Sequence, residues 1–241
     1  MNKHLRRALI AIVVVLLVVA YSVYIVNTVP NPEPFGDVWA GVTDGEINGD
    51  RALRLFEIFK EITERHDQHY FMMCGTLLGV GRHGGFIPWD DDIDVGISEK
   101  WFADIISPEI EQEFAEYGVG ITKHFNGMHK LFFKDQKRIG KYPFTWPFID
   151  LFAYRISVDK IHMNIPEAVT FDKQIILPVA QDEFEGMQVS VPHDMIAVLN
   201  QLFGKSWKEM CYSSSYNHRV HKMIRLGDVK KVRCDSLPDE A

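Results

Sequence analysis

Gly75-Thr76-Leu77-Leu78-Gly79 and, a short way on, Asp90-Asp91-Asp92-Ile93-Asp94-Val95-Gly96-Ile97 decide how this chain is read. In the second stretch Ile93, Val95 and Ile97 alternate with Asp92, Asp94 and Gly96, the period of a strand with one apolar face, so Asp92 and Asp94 project to the same side. Such residues have Cα atoms about 6.5–7 Å apart, and both carboxylates can converge on one hard cation. Ahead of the first stretch, residues 70–74 read as a short buried strand. Thr76 to Val80 then opens a short helix whose unpaired N–H groups point back over the strand end, a place for an anion.

Working outward, Leu53, Phe56, Ile58, Phe59 and Ile62 recur at mostly helical spacing and predict a helix over 51–69. Glycine and proline from Gly79 to Pro88 predict a loop. Gly79-Val80-Gly81-Arg82-His83-Gly84 matches a dinucleotide fingerprint in form only, since Pro88 leaves no room for the helix that fingerprint needs. Ser98 is the expected N-cap of a helix carrying Trp101, Phe102, Ile105 and Ile106, broken near Pro108. Strands are expected at 119–123, 130–134, 148–154, 174–179 and 187–191, and a helix from Pro192-His193-Asp194 to Gly204. Mixed strands and helices of this kind predict one α/β domain of the α+β type over 50–207.

A third acid, Asp150, stands in the otherwise apolar run Pro147-Phe148-Ile149-Asp150-Leu151-Phe152. A carboxylate at a buried strand position costs several kcal/mol unless it is paired or bound to metal. Asp150 is therefore expected at the cation with Asp92 and Asp94, the alternative being an ion pair with Lys130 or Arg155. Asp90 stands open as a fourth ligand, while Asp91 is expected to cap a turn or meet solvent. Lys130, Lys134, Lys137, Arg138 and Lys141 read as a solvated basic face. His124 and His129 have no ligand partner at helical or hairpin spacing and read as structural. One or two Mg2+ or Mn2+ ions held by these acids would suit phosphoryl transfer, with Gly75 and Thr76 on the donor phosphate and Arg82 or His83 offsetting charge on the leaving nucleotide.

The 241 residues carry a formal net charge of -7, which disfavours nucleic-acid binding, since that requires a basic surface. From Ala8 to Val26 no residue is charged, long enough to span a hydrocarbon core of about 30 Å. Lys3, Arg6 and Arg7 precede this run, and no Lys or Arg follows it before Arg51. The bias predicts a single-pass type II arrangement: a cytosolic 1–7, a membrane helix over 8–29, and the domain on the luminal or extracellular side, in the Golgi or endoplasmic reticulum. A cleaved signal peptide ending near Ala20 is the competing reading. Residues 30–49, with Pro30, Pro32 and Pro34, read as a stalk too poor in periodic apolar residues to pack. Cys211 and Cys234 could pair in an oxidising lumen, leaving Cys74 free. The polar, basic tail over 208–241 shows no pattern, and nothing in the sequence sets the oligomeric state.

Gly75-Thr76-Leu77-Leu78-Gly79 followed by Arg82-His83-Gly84-Gly85-Phe86-Ile87-Pro88-Trp89-Asp90-Asp91-Asp92-Ile93-Asp94 resembles the signature of the LicD/fukutin family. The resemblance extends more weakly through Phe148-Ile149-Asp150-Leu151-Phe152 and 186–207. It implies a nucleotidyltransferase-like mixed sheet flanked by helices, and transfer of a phosphorylated small molecule, such as phosphocholine or ribitol phosphate, from a CDP-linked donor to a glycan. By the same resemblance Gly75 and Thr76 match the family's Gly-Ser/Thr element, Asp92 and Asp94 its strand-borne acid pair, and Asp150 its third acid. Two other readings stay open: a metal-dependent glycosyltransferase using a nucleotide sugar, and a catalytically silent anchored protein that binds a glycan-modifying partner.

Overall fold

A computed structural model describes residues 3–43, 45–123, 127–165 and 169–237. His124 lies outside the described residues. The first helix, α1 (Lys3–Asn27), has no buried residue. At 1.5 Å per residue it is long enough, and apolar enough, to cross a bilayer, a test that a signal sequence also passes.

The globular part begins with α2 (Asn48–Arg65), whose buried face carries Ala52, Leu55, Phe56, Phe59 and Ile62. The helix stops short of the predicted His69 because the chain turns through Asp67 at φ 52°, a left-handed conformation that ends helices. The strand β1 (Tyr70–Met72) is buried throughout and runs into α3 (Cys74–His83), which ends on Gly84 at φ 68°. Where a loop was expected from Gly79, the helix continues to His83. Gly79 has its place there because a Cβ at this position would strike the Gly85 carbonyl oxygen of the returning chain.

Next comes β2 (Ile93–Ser98), and the Ser98 hydroxyl accepts from the Trp101 N–H at 3.1 Å to cap α4 (Glu99–Asp104). After α5 (Pro108–Glu116) follow β3 (Val119–Lys123), β4 (His129–Phe133), β5 (Phe148–Ser157), β6 (Lys160–Met163) and β7 (Val169–Asp172). β2 lies between β1, antiparallel, and β5, parallel. The other edge of the ten-residue β5 is shared, with β4 pairing over Phe148 to Leu151 and β6 over Tyr154 to Ser157. β3 extends the first branch and β7 the second, giving one mixed seven-stranded sheet. This is the nucleotidyltransferase-like α/β architecture expected from the sequence.

Two expectations are corrected beyond the sheet. Residues 174–179 form no strand: the chain makes a short turn of helix, α6 (Lys173–Ile176), and the hairpin β8 (Ala180–Phe184) and β9 (Met187–Val191) starts only after Pro178. Proline cannot donate to a ladder, so pairing begins beyond it. The helix α7 (Met195–Phe203) opens where the sequence predicts and is capped by the Asp194 carboxylate. The stalk, expected not to pack, does so: Trp39 is buried and stacks on Phe86 at 4.1 Å, Phe35 meets Trp89 edge-on, and the Val38 N–H donates to the Pro88 carbonyl at 2.7 Å. Isolated aromatic anchors hold it, and they leave no periodicity to read.

The tail also returns to the domain. Met210–Tyr212 pairs antiparallel with Lys231–Arg233, and Cys211 and Cys234 form the disulfide, with Cys74 free. The Trp89 indole N–H donates to the Tyr212 carbonyl at 2.8 Å, and the Ser214 hydroxyl to the Trp89 carbonyl at 2.6 Å. These contacts lay the tail across the open end of β2.

Candidate metal and phosphate site

Register alone aligns the centre of the site. Asp94 on β2 pairs with Asp150 on β5, which pairs with Lys130 on β4, so three charged side chains stand abreast on one face of the sheet. All three are buried. Lys130 Nζ donates to Asp150 Oδ1 and lies 3.6 Å from the centre of the Phe148 ring. The solvated role expected for Lys130 is thus overturned, because it lies within β4, which is buried throughout, whereas Lys134, Lys137, Arg138 and Lys141 follow the strand and are exposed. The ion-pair alternative weighed for Asp150 is realised with Lys130.

Pairing with Lys130 does not remove Asp150 from the acids. Asp92, Asp150 and His218 each offer a ligand atom, and these atoms lie within 4.8 Å of one another. Two carboxylates and an imidazole suit a divalent cation that accepts oxygen and nitrogen donors, and burial of all that negative charge gives such an ion a reason to bind. Asp94 lies outside this triad. Its backbone N–H donates to the Thr76 hydroxyl at 2.8 Å and its carbonyl accepts from the Met73 N–H at 3.0 Å, tying β2 to the start of α3.

The Thr76 hydroxyl is therefore engaged, and what α3 can offer an anion is its first-turn N–H groups, which helix geometry leaves without intrahelical acceptors. Gly75 is needed there, because a Cβ would collide with Asp90 Oδ2. Cys74, at φ 48°, holds a strained left-handed conformation at the same junction.

His218 is the residue the sequence did not reveal, and Asp91 is why it sits here. Its ring Nδ1 is 2.6 Å from Asp91 Oδ1, its backbone N–H donates to Asp91 Oδ2 at 2.9 Å, and its Nε2 is turned to Asp92 Oδ2 at 3.2 Å. A carboxylate behind one ring nitrogen fixes the direction of the other. Asp91 was expected in a turn or in solvent. It is instead buried, positioning an imidazole that comes from the tail.

Of the two basic candidates, Arg82 and His83, the structure separates the roles. Arg82 Nε donates to His83 Nε2 at 3.0 Å and Nη1 to the Trp207 carbonyl at 3.2 Å. Burial and then the Arg82 charge push the His83 pKa down to about 4, so His83 is a neutral acceptor that holds Arg82. Burial lowers Arg82 only to about 10, against the pull of Asp90, so it keeps its charge. Arg82, Gly75, Asp90 and His218 line a cavity of about 380 Å³ whose other walls include Trp89 and Trp207. His129, read as structural, stacks on Phe102 at 3.7 Å.

Crowding shifts the acids upward. Burial first, then repulsion from Asp92, raises Asp90 to about 8; burial and the neighbouring Asp150 and Asp91, opposed by His218, raise Asp92 to about 6. Asp94 is held well above the usual carboxylate range by burial and by Asp92 and Asp150. For His218, burial opposes the charge, but Asp92 and Asp91 prevail and raise it to about 9. Groups with raised folded pKa values give stability that is present at low pH and is lost as pH rises through those values. The window set by Asp92, Asp90 and His218 opens at 3.8, the ordinary value from which the two carboxyls are raised, and closes at about 9. We expect the Tm of the chelator-treated protein to fall across that window, and Mg2+ or Mn2+ to raise it most at the alkaline end. A Tm that rises with pH in the absence of metal would contradict the crowding of these acids.

Comparison with known proteins identifies the family. The family model for the LicD/FKTN/FKRP nucleotidyltransferase domain matches residues 67–194. The chain is 29% identical over 206 residues to an uncharacterized protein of Rickettsia prowazekii, covering 80% of this chain and 69% of that one. It is 34% identical over 109 residues to the lipopolysaccharide cholinephosphotransferase LicD of Haemophilus influenzae, covering 43% of this chain and 41% of the relative. To the ribitol-5-phosphate transferase FKTN of Mus musculus it is 24% identical over 172 residues, covering 68% and 35% respectively. It thus spans less than half the length of either named transferase. The matched region holds α3, β2 and β5 with Gly75, Thr76, Asp92, Asp94 and Asp150, and it takes in more than half of the sequence, so the chain belongs to the LicD/FKTN/FKRP nucleotidyltransferase-domain family.

Proposed function

We propose that the protein is a membrane-anchored, divalent-metal-dependent phosphotransferase that moves a phosphorylated small molecule from a CDP-linked donor to a glycan or glycoconjugate. The observation that carries this reading is the convergence of Asp92, Asp150 and His218 beside a helix N-terminus, next to a cavity with one charged arginine. Asp92, Asp150 and His218 would hold Mg2+ or Mn2+, with Asp90 at the edge of the same cluster. The ion supplies charge neutralisation for the donor's phosphates.

The remaining roles fall to this chain's own groups. The N–H groups of Gly75 and Thr76 hold the donor phosphate, and Arg82 faces the negative charge that grows on the departing nucleotide. Asp94 orients the attacking acceptor hydroxyl and takes its proton. A bond forms between the acceptor oxygen and the distal phosphorus, the bond from that phosphorus to the bridging oxygen breaks, and CMP leaves. In this reading α1 anchors the chain, with the domain on the luminal or extracellular face, and the catalytic unit runs from about residue 50 into the tail that supplies His218.

The test is a thermal-shift panel on the full chain in detergent: CDP-choline, CDP-ribitol, CDP-glycerol and nucleotide sugars, each with and without Mn2+. A true donor at a hundred times its Kd stabilises by about 2.7 kcal/mol, and only when metal is present. Turnover of that donor should add a phosphodiester to the acceptor by mass. Stabilisation by a nucleotide sugar alone, with a bare sugar added, would make the protein a glycosyltransferase.

A further inference from the structure

The tail meets the membrane helix as well as the active site. Thr28 and Val29, directly after α1, pair in parallel with Met223 and Ile224. The Arg225 N–H donates to the Val29 carbonyl at 3.0 Å, and the Leu226 N–H donates to the Tyr24 hydroxyl at 2.8 Å. Tyr24 is the last aromatic of the apolar run, and a tyrosine at the end of a span places its hydroxyl among the lipid headgroups. A backbone group bonded to that hydroxyl stands at the same depth.

The side chains of this loop match that position. Val220, Met223 and Leu226 are exposed at 48%, 51% and 79%, an unusual display of apolar groups on a water-facing turn. Lys222 and Arg225 are exposed between them, in a chain whose net charge is -7. Apolar side chains interleaved with cations are what an interfacial segment needs, the first for the acyl boundary and the second for anionic headgroups. Because the loop is bonded to Val29 and Tyr24, no free linker separates it from the span.

We propose that loop 220–226 docks into the surface of the bilayer that α1 crosses, with Met223 and Leu226 at the acyl boundary and Lys222 and Arg225 on anionic phospholipid headgroups. The inference rests on the anchored reading of α1. Docking fixes the segment that carries His218 only a few residues upstream, so the membrane surface steadies one wall of the site.

The full chain is reconstituted into nanodiscs of phosphatidylcholine with or without phosphatidylglycerol, and a nitroxide is placed at L226C or, as a control on the β5–β6 turn, at V158C. The parent chain, with its free Cys74, serves as the labelling blank. Docking predicts that position 226 collides with oxygen in preference to a water-borne nickel complex, with nickel access at least about threefold below that at 158. The protection should be stronger in anionic discs and weakened by K222E/R225E. Nickel access at 226 equal to that at 158 overturns the docking while leaving the anchor intact. Shielding from both reagents signals a protein neighbour and also overturns it. Release of the chain from membranes by alkaline carbonate overturns the anchor and the docking together.

Discussion

Asp94→Asn is expected to lower turnover by at least about a hundredfold, the scale lost when one electrostatic partner of a transition state is removed, and at the same time to make the metal-free protein more stable at pH 8. The two effects have one cause. Burial first, then Asp92, Asp150 and Asp90, push the Asp94 pKa upward, against the weaker pull of Lys130. Asparagine keeps the shape and removes the repulsion, so the folded state gains where the reaction loses. A site kept at the expense of stability shows this opposition, whereas a structural acid does not. Chelator-treated wild type and variant should be compared by Tm, and both by single-turnover transfer with Mn2+. A variant that is as active as wild type, or a wild type with no activity and no metal-dependent donor binding, would support the silent-member reading instead.

Why was so much of this site legible beforehand? The β2 acids announce themselves because strand alternation converts sequence spacing directly into a shared face, and Asp150 because a carboxylate inside Phe148-Ile149-Leu151-Phe152 needs a partner. The sequence offers Lys130 or Arg155 as an ion-pair partner for Asp150, yet the register that sets Lys130 opposite Asp150 is a long-range pairing that no local pattern encodes. His218 was out of reach for a related reason. The tail strands are two or three residues long, too short for periodicity, and they are fixed by a disulfide and by hydrogen bonds to Trp89 rather than by a continuous apolar face. The one signal was on Asp91, a carboxylate next to a buried strand with no visible counter-charge. The stalk escaped for the same reason as the tail: Phe35 and Trp39 act one at a time.

Lys130→Met should destabilise the metal-free protein by about 3–5 kcal/mol, the usual result of leaving one member of a buried ion pair behind. Lys130 is 1% exposed and Asp150 3%, so water cannot screen the orphaned carboxylate, and Asp92 and His218 stand too close for it to move away. For a domain of this size each kcal/mol moves Tm by about 2–4 °C, so the drop is on the order of 6–20 °C. Divalent metal should recover part of that loss, because a cation at Asp92, Asp150 and His218 meets the same carboxylate that Lys130 had answered. The double variant Lys130→Met/Asp150→Asn separates the two functions of Asp150. With the charge gone from both partners, stability should return most of the way towards wild type, whereas metal binding and transfer should not. A single Lys130→Met that unfolds within about 1 kcal/mol of wild type would contradict the reading of Lys130 and Asp150 as a buried ion pair that the fold depends on.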